Sequence, residues 1–424
     1  MIGGEIVPDY RKKRIGFKKK NNKKTSKIDD NIKMESNDSK QKRFPKSNIK
    51  VVKGKKLERI RRFKIYGAIA LFLVLAYLIL SLIAPVSIGE NITNLFALVG
   101  SGSYPKEIYG AKTLNAVSKG SYYYVLTDTD ISAFSNSGKE VYTYSHGYSN
   151  PVMATSSTRA MVYDQNGTSL KIFNLKEQTN SLTTKKAIIC AAISRNGSYA
   201  VVTQSDEYAS TVTVYNRKDK KIYEWNSAKD KVNSIAINSS GDKIAVSTAN
   251  AYNGSHISNV YVLNFKDGKE YSSKIENGLV YGIYDTGKAF SVVSSKGYSY
   301  ITWSKHEKQE INSDLSLSMY RQSSKGVLLV FNRENDVGDN TIILLSKKGE
   351  KIIEFQFQGI ISDIQFSDGH IYCISESKVY LFDNDGKLLG SSDCDYDAVR
   401  IVPQGSHSMV TITDSSIKKL VIKN

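Results

Sequence analysis

Several short polar motifs in this sequence carry residue types that could do chemistry. Asn-x-Ser/Thr sequons match the acceptor pattern for N-linked glycosylation at positions that include Asn91, Asn166, Asn196, Asn238 and Asn253. Three of these asparagines precede a glycine, and Asn-Gly between two apolar runs is a hairpin signal. We therefore interpret them as turn residues. The sequence contains no phosphate-binding loop of the GxxxxGK[ST] type.

Two acidic stretches could bind a divalent cation. DNDGK (383–387) begins like a calcium loop but lacks the further carboxylates and the distal Glu that such a loop needs. It also recurs in position with SNSGK, KDGKE and KKGEK, which favours a hairpin turn. On a strand, DCDYD (393–397) would place three aspartates on one face, a pattern more typical of a solvated surface than of a metal site. The sequence predicts no metal and no cofactor.

The cysteines and histidines give no catalytic or ligand pattern. The three cysteines form no CxxC motif and are too few for a disulfide framework. Cys190 and Cys373 lie in apolar alternating runs, which predicts small core residues. The five histidines show no HxxH or HExxH spacing. We assign no catalytic residue, and the protein is not expected to be an enzyme.

The charge of the chain lies mostly in its first part. The formal net charge is +18, but residues 1–64 hold 23 Lys and Arg against 7 Asp and Glu, and the remainder is close to neutral. The tail 1–64 is poor in apolar residues, so we expect it to be disordered. It does not interleave aromatic with basic residues, so nucleic-acid binding is not expected. We expect the basic residues just before residue 65 to contact anionic lipid; these are Lys53, Lys55, Lys56, Arg59, Arg61, Arg62 and Lys64.

Residues 65–83, IYGAIALFLVLAYLILSLI, contain no charged residue. At 1.5 Å per residue this run spans roughly one bilayer hydrocarbon core. We predict a transmembrane helix over 65–84 with the basic N-terminus in the cytoplasm, followed by a linker over 85–105. The rest of the chain, 106–424, is then extracytoplasmic.

After residue 105, short apolar runs alternate with Gly, Asn, Asp and Ser turns. The pattern repeats with starts near residues 114, 152, 189, 232, 280, 317, 361 and 398, the period of a four-stranded propeller blade. The last unit has only three strands, and KEIYGAK (106–112) can supply the fourth. The sequence therefore predicts an all-β propeller of seven or eight blades, eight by the repeat count. A pair of β-sandwiches is the alternative.

The stretches ISRNGSYAVV, INSSGDKIAVS and FSDGHIYCIS resemble the WD40-like and YVTN-type repeats of bacterial propellers. The layout of basic tail, apolar span, GSGSYP spacer and propeller is also similar to an uncharacterised family of single-pass bacterial membrane proteins, grouped as a domain of unknown function. That resemblance implies a fold and a topology, and it implies no catalytic residues.

The longest loops indicate where a ligand could bind. Loops after the second strand are long in three units, near 205–210, 250–259 and 333–340, whereas the other turns are short. Their polar residues are the candidate binding residues: Asp206, Glu207, Tyr208, Tyr252, His256, Glu334, Asp336 and Asp339. The opposite face carries lysines: Lys220, Lys221, Lys269, Lys305, Lys308, Lys348 and Lys387.

We therefore expect a membrane-anchored binding, scaffold or sensor module for an envelope protein or polysaccharide. The alternative is an envelope hydrolase or lyase with carboxylates at the propeller channel.

Overall fold

The structure is a computed structural model that describes residues 54–83, 86–275, 278–303, 308–333 and 336–423. Only the backbone is described for 54–61, 77–83, 86–89, 91–92, 252, 308–309, 312 and 336–337. The tail 1–53, including Lys53, therefore lies outside the described residues. The chain divides into two units, residues 1–67 and 68–424.

Two helices precede the strands. Helix α1 is Gly54–Ile83 and helix α2 is Val86–Ala97. α1 begins eleven residues before the expected span at residue 65, because LERIRRFK consists mostly of good helix formers. α2 lies within the segment 85–105 that the sequence suggested as a linker. Within the described residues, no helix is both long enough and apolar enough to cross a membrane. Residue 84 and the side chains of 77–83 of the expected span lie outside that description.

The strands begin with the short β1 (Lys106–Glu107). Blade 1 contains β2 (Thr113–Ser118), β3 (Tyr122–Thr127), β4 (Asp130–Ser135) and β5 (Glu140–Ser145). Blade 2 contains β6 (Pro151–Thr155), β7 (Ala160–Asp164), β8 (Ser169–Phe173) and β9 (Gln178–Thr183). Blade 3 contains β10 (Ile188–Ile193), β11 (Tyr199–Thr203), β12 (Ser210–Tyr215) and β13 (Lys221–Ser227). Blade 4 contains β14 (Lys231–Ile237), β15 (Lys243–Tyr252), β16 (Ser255–Asn264) and β17 (Lys269–Ile275).

The other four blades complete the ring. Blade 5 contains β18 (Val280–Asp285), β19 (Ala289–Ser294), β20 (Gly297–Thr302) and β21 (Lys308–Asn312). Blade 6 contains β22 (Ser316–Gln322), β23 (Gly326–Arg333), β24 (Asp336–Ser346) and β25 (Lys351–Gln358). Blade 7 contains β26 (Ile361–Ser367), β27 (His370–Ser375), β28 (Lys378–Phe382) and β29 (Leu388–Asp393). Blade 8 contains β30 (Arg400–Pro403), β31 (Ser408–Ile412) and β32 (Ser416–Val421), joined by β1.

The described strands thus form eight four-stranded antiparallel sheets, which confirms the all-β propeller and the count of eight blades. The predicted closing strand is also confirmed, since Lys106 pairs with Ile417 and Glu107 with Ser416. First strands of neighbouring blades contact each other at most of the blade junctions, including β30 with β2, so they form the inner ring. The second strands, such as β3 and β19, are buried along their whole length between blades. The fourth strands alternate exposed and half-buried residues at the outer rim.

The Asn-Gly of residues 196–197 forms the turn between the first two strands of blade 3. Gly197 has φ +87°, which a residue with a Cβ rarely adopts, and the Asn196 side chain accepts a hydrogen bond from Ser198 N at 2.8 Å. Asn196 Nδ2 also donates to Ser240 O at 2.6 Å, in the equivalent turn of blade 4. Ser239 N in that turn donates to Asp285 of blade 5 at 2.7 Å. The turns therefore link one blade to the next.

Candidate functional site

The antiparallel order of each blade creates two faces. Turns from the first to the second strand and from the third to the fourth lie at one end of the blade, here named the turn face. Loops from the second to the third strand, and connections from the fourth strand to the next blade, lie at the other end, here named the loop face. All three long loops that the sequence singled out are on the loop face, in blades 3, 4 and 6.

In blade 3 the candidate loop is shaped by hydrogen bonds between its own residues. Ser205 Oγ accepts hydrogen bonds from Glu207 N at 3.3 Å and Tyr208 N at 3.2 Å, which shapes residues 205–208. Asp206 forms an ion pair with Lys186 at 2.6 Å, and both side chains are well exposed. A pair of this kind contributes little stability, so Asp206 remains available to a ligand. Tyr208 is 40% exposed.

In blade 4 the candidate loop is a projecting hairpin instead of an irregular loop. β15 and β16 pair out to Tyr252 and Ser255, beyond Ala249 and Ser258, where their pairing with β14 and β17 ends. His256 is exposed near the tip. The side chain of Tyr252 lies outside the described residues. Within the described residues, no strand pairs with either side of the last few residue pairs of this hairpin.

In blade 6 only part of the candidate loop is described. Glu334 and the side chain of Asp336 lie outside the described residues. Asp339 accepts a hydrogen bond from Gln358 Nε2 at 2.9 Å and lies 3.4 Å from Arg333 Nε, with 20% of its side chain exposed. Asp339 therefore stabilises the base of the loop, and its carboxylate is mostly shielded from solvent. Blades 3 and 4 are neighbours, whereas blade 5 separates both from blade 6.

The loop face has an excess of carboxylates. The connections on this face contain nine described carboxylates and five lysines. The carboxylates are Asp128, Asp206, Glu207, Asp230, Asp314, Glu376, Asp395, Asp397 and Asp414. The lysines are Lys112, Lys185, Lys186, Lys229 and Lys296. The described turns of the turn face show the opposite balance, with fourteen Lys and Arg against eight Asp and Glu. The two faces therefore differ in the sign of their charge.

Exposed tyrosines mark the same loop face. Five described tyrosines of residues 106–423 are exposed, and each lies in a loop-face connection or at a strand end on that face: Tyr109, Tyr144, Tyr208, Tyr281 and Tyr396. Tyr396 is 88% exposed and Tyr109 is 62% exposed. Sequence reasoning found only Tyr208 among them. The available signal was that Tyr109 and Tyr396 fall between blades, where β-propensity cannot explain a tyrosine. Exposed tyrosines are favourable contact residues for a protein partner.

Helix α2 is attached to the turn face. Arg159, in the first turn of blade 2, donates to Glu90 from Nε at 2.7 Å and from its terminal nitrogen at 2.5 Å, and Thr158 Oγ1 donates to Glu90 at 2.6 Å. The Glu90 and Arg159 side chains are only 12% and 10% exposed. Lys139 in blade 1 donates a hydrogen bond to Ala97 O at 2.9 Å. Ala97 is the last residue of α2, and a cation at a helix C-terminus stabilises the helix.

The described lysines that the sequence assigned to the turn face lie in or directly after the turns between third and fourth strands. Lys220, Lys348 and Lys387 lie in these turns and are exposed. Lys221 and Lys269 begin the fourth strands that follow. Lys305 and the side chain of Lys308 lie outside the described residues. The lipid-contact prediction rests on α1, where Arg62 and Lys64 are exposed and the side chains of Lys55, Lys56, Arg59 and Arg61 are not described.

The chain can now be placed by comparison. A model of a family of unknown function, DUF5711, matches residues 104–422, which is the propeller with the two residues before it. The chain belongs to the DUF5711 family. The comparison with curated proteins returned no match.

Among solved structures, this DUF5711 chain is similar to Sqt1 of Saccharomyces cerevisiae, with a TM-score of 0.53, 10% identity, and coverage of 77% of this chain and 100% of that one. It is also similar to the C-terminal WD40 domain of Sif2, with a TM-score of 0.51, 13% identity, and coverage of 77% and 100%. AztD of Citrobacter koseri gives a TM-score of 0.50 at 11% identity, covering 74% and 90%. At these identities the likeness shows the fold alone. It confirms the WD40-like propeller that the repeats predicted.

Neither the family nor the described groups of the DUF5711 propeller point to enzymatic chemistry. The eight inner strands carry two carboxylates, Asp285 and Asp363, and both are bonded across blades. The described part of the chain contains no group of three or more His, Cys, Asp or Glu residues that could hold a metal ion. Asp395, from the acidic run 393–397, forms an ion pair with Lys418 at 2.8 Å. Burial raises the pKa of the Cys190 thiol to about 12 and also raises the pKa of Cys373, so neither is a reactive thiolate.

Proposed function

We propose that this DUF5711 protein is a membrane-anchored scaffold whose propeller binds a protein partner of the cell envelope through its loop face. The observation that carries the proposal is the attachment of α2 to the turn face through Glu90 and Lys139. The chain that leads from the N-terminal apolar helix thus reaches the propeller on one face. The loop face, with its exposed tyrosines and excess of carboxylates, remains free for a partner.

The proposed anchor is α1, with the N-terminus in the cytoplasm and the propeller outside. The described apolar side chains of α1 are exposed, among them Ile65, Leu71, Phe72 and Leu75. Exposure of so much apolar surface to water is unfavourable, whereas exposure to lipid is not. Leu95, Phe96 and Val99, at and just beyond the end of α2, are also more than 60% exposed. We propose that these three contact the bilayer surface. The basic turn face would then lie toward anionic lipid headgroups.

The topology can be tested by thiol labelling in intact cells. The three native cysteines are first replaced, and a single cysteine is introduced at Lys20 or at Lys348, which is exposed on the turn face. A membrane-impermeant maleimide is expected to label only the Lys348→Cys protein. Labelling of Lys20→Cys alone would reverse the topology, and release of the protein in a carbonate wash would contradict the anchor.

The binding face can be tested by site-specific photocrosslinking in the native membrane. A photoreactive amino acid is placed at Tyr208 or Tyr396 on the loop face, with Leu388 as the control. Leu388 is 50% exposed and begins a fourth strand beside the turn face. We expect one discrete protein adduct, identified by mass spectrometry, from both tyrosine positions and not from Leu388. A glycan adduct would replace the protein partner, and absence of loop-face adducts would refute the proposal.

A further inference from the structure

A cavity opens on the loop face where blade 6 meets blade 7. Its volume is about 390 Å³, within the range of ligand-binding pockets. It is lined by the first residues of β22, the second half of β23, Asn340 of β24, and Ile360 and Ile361, where the two-residue connection 359–360 enters β26. That connection is the shortest between two blades, so the connection itself leaves the cavity uncovered.

A buried asparagine fixes the backbone beside the cavity. Asn340, which is 1% exposed, donates from Nδ2 to Phe357 O at 3.1 Å and to Gly359 O at 2.7 Å. Gly359 has φ +137°, a conformation that side chains disfavour. These contacts fix the connection with Ile360 turned outward, where it is 61% exposed.

The cavity wall is mainly apolar. Leu317 and Met319 of β22 and Ile361 of β26 are half-buried, and Val330 is fully buried at the base. The wall also contains the polar residues Ser316, Ser318 and Asn332, and Ile360 is the most exposed of its aliphatic side chains. Burial of one such side chain by a ligand contributes about 1.5–3 kcal/mol. The cavity is therefore suited to aliphatic side chains.

The charged residues around the cavity indicate which charged groups of a ligand would be favoured beside its aliphatic side chain. Exposed Asp314 lies in the connection just before β22, and the described connections of the loop face carry nearly twice as many carboxylates as lysines. Arg333 is the one charged residue of the described lining and pairs with Asp339 at 3.4 Å, whereas Asp314 makes no ion pair within the described residues. A ligand with basic groups is favoured there over an acidic one.

We infer that this cavity binds an aliphatic side chain of the partner, leucine or isoleucine, from a segment in which lysine or arginine flanks it. The inference rests on the proposed function, because it names the chemistry of the segment that the loop face binds. It assigns the blade 6–blade 7 junction as the anchor point of the partner.

The test uses the full chain in detergent and three fluorescent peptides measured by anisotropy. The first has a central leucine flanked by lysines, the second replaces the leucine by alanine, and the third replaces the lysines by glutamates. We expect the first to bind, the second to bind at least about tenfold more weakly, since burial of the missing methyl groups is lost, and the third not to bind. A cavity for small apolar molecules would instead bind an uncharged dye and ignore the peptide charges, and this result would overturn the inference.

A matched pair of variants locates the site. Ile360→Ser removes the rim of the cavity, whereas Ile352→Ser changes an exposed isoleucine of the same blade, 44% exposed, beside the turn face. Both positions are on the surface, so melting curves should show both proteins folded. The leucine peptide is expected to bind Ile360→Ser at least about tenfold more weakly and Ile352→Ser as wild type. Equal affinity of the leucine peptide for both variants would show that the cavity is not the binding site. If loop-face crosslinks persist in that case, only the cavity inference fails; if they too are absent, the proposed function fails with it.

Discussion

Asp363 joins three blades from a fully buried position, and its removal gives the sharpest test of how the ring is held. It lies in β26 of blade 7 and is 0% exposed. Its Oδ1 accepts hydrogen bonds from Arg321 of blade 6, at 2.9 Å from Nε and 2.6 Å from the terminal nitrogen. Its Oδ2 accepts a hydrogen bond from Ile401 N of blade 8 at 2.9 Å. We choose the substitution Asp363→Ala, which removes all three contacts.

The expected cost follows from what each partner loses. Ile401 is 1% exposed, so its N–H would be left without an acceptor, at about 1–3 kcal/mol. Arg321 would lose its counter-charge, but its side chain is 29% exposed and can regain part of its hydration. Removing one partner of a buried ion pair typically costs about 3–5 kcal/mol, and partial rehydration places Asp363→Ala near the lower end. For a domain of about 300 residues this lowers Tm by roughly 4–6 °C.

The assay is thermal unfolding of the detergent-solubilised protein followed by circular dichroism. Asp385→Ala is the matched control, because Asp385 is an exposed carboxylate of the same blade. We expect the control to melt as wild type. Asp363→Asn should fall between the control and Asp363→Ala, since it keeps one acceptor oxygen and the side-chain volume. A Tm decrease below about 2 °C for Asp363→Ala would refute the reasoning that this carboxylate stabilises the junction.

Three further predictions address α2, the ring closure and a buried lysine. Glu90→Gln leaves the Arg159 charge unpaired, so α2 should detach from the turn face more often. Chymotrypsin should then cleave near Phe96 at least about tenfold faster than in the wild type. Glu177→Gln, an exposed control in blade 2, should leave the cleavage rate unchanged. Ile108→Ala, at a position 7% exposed beside the closing strand, should cost about 2–4 kcal/mol in urea unfolding, whereas Ile352→Ala at an exposed site should cost less than about 1 kcal/mol; equal losses would contradict a specific role for the closure. Burial lowers the pKa of Lys119 to about 8 from its ordinary value of 10.5, so the folded protein binds fewer protons than the unfolded chain between these values and wild type gains stability as pH rises through that window. Lys119→Met should therefore raise Tm at pH 7 and lose this advantage by about pH 10.5, and an advantage that is independent of pH would exclude desolvation of the ammonium as its cause.

Much of the fold could be predicted because each blade repeats the same local signals. The Ser/Asn-x-x-Gly turns, such as Asn196–Gly197, occur where two apolar strands reverse, and the period of the repeat gives the ring. The closing strand was predictable from the missing fourth strand of the last unit. DNDGK (383–387) is the expected hairpin turn, in which Asp383 Oδ1 accepts hydrogen bonds from Asp385 N and Lys387 N, both at 2.9 Å.

The remaining features depend on contacts between residues far apart in the chain. Asp363 and Arg321 lie in separate repeats, and neither repeat alone shows that they meet. The position of α2 depends on Glu90 meeting Arg159, which composition cannot reveal. The tyrosines at 109 and 396 become a surface only when the fourth-to-first connections are known to share a face with the long loops. The candidate loop residues stay a prediction, now with a defined face.

The closing strand also constrains how this protein can be made. Of the described strands, β1 is the first to leave the ribosome and its partner β32 is the last. Until residues 416–421 emerge, β1 has no strand to pair with and blade 8 remains incomplete. The face of blade 1 that packs against blade 8, including Tyr123 and Val125, also stays uncovered. An unpaired strand and an uncovered apolar face both associate readily with other chains, so the nascent domain keeps aggregation-prone surface for almost the full time of its synthesis.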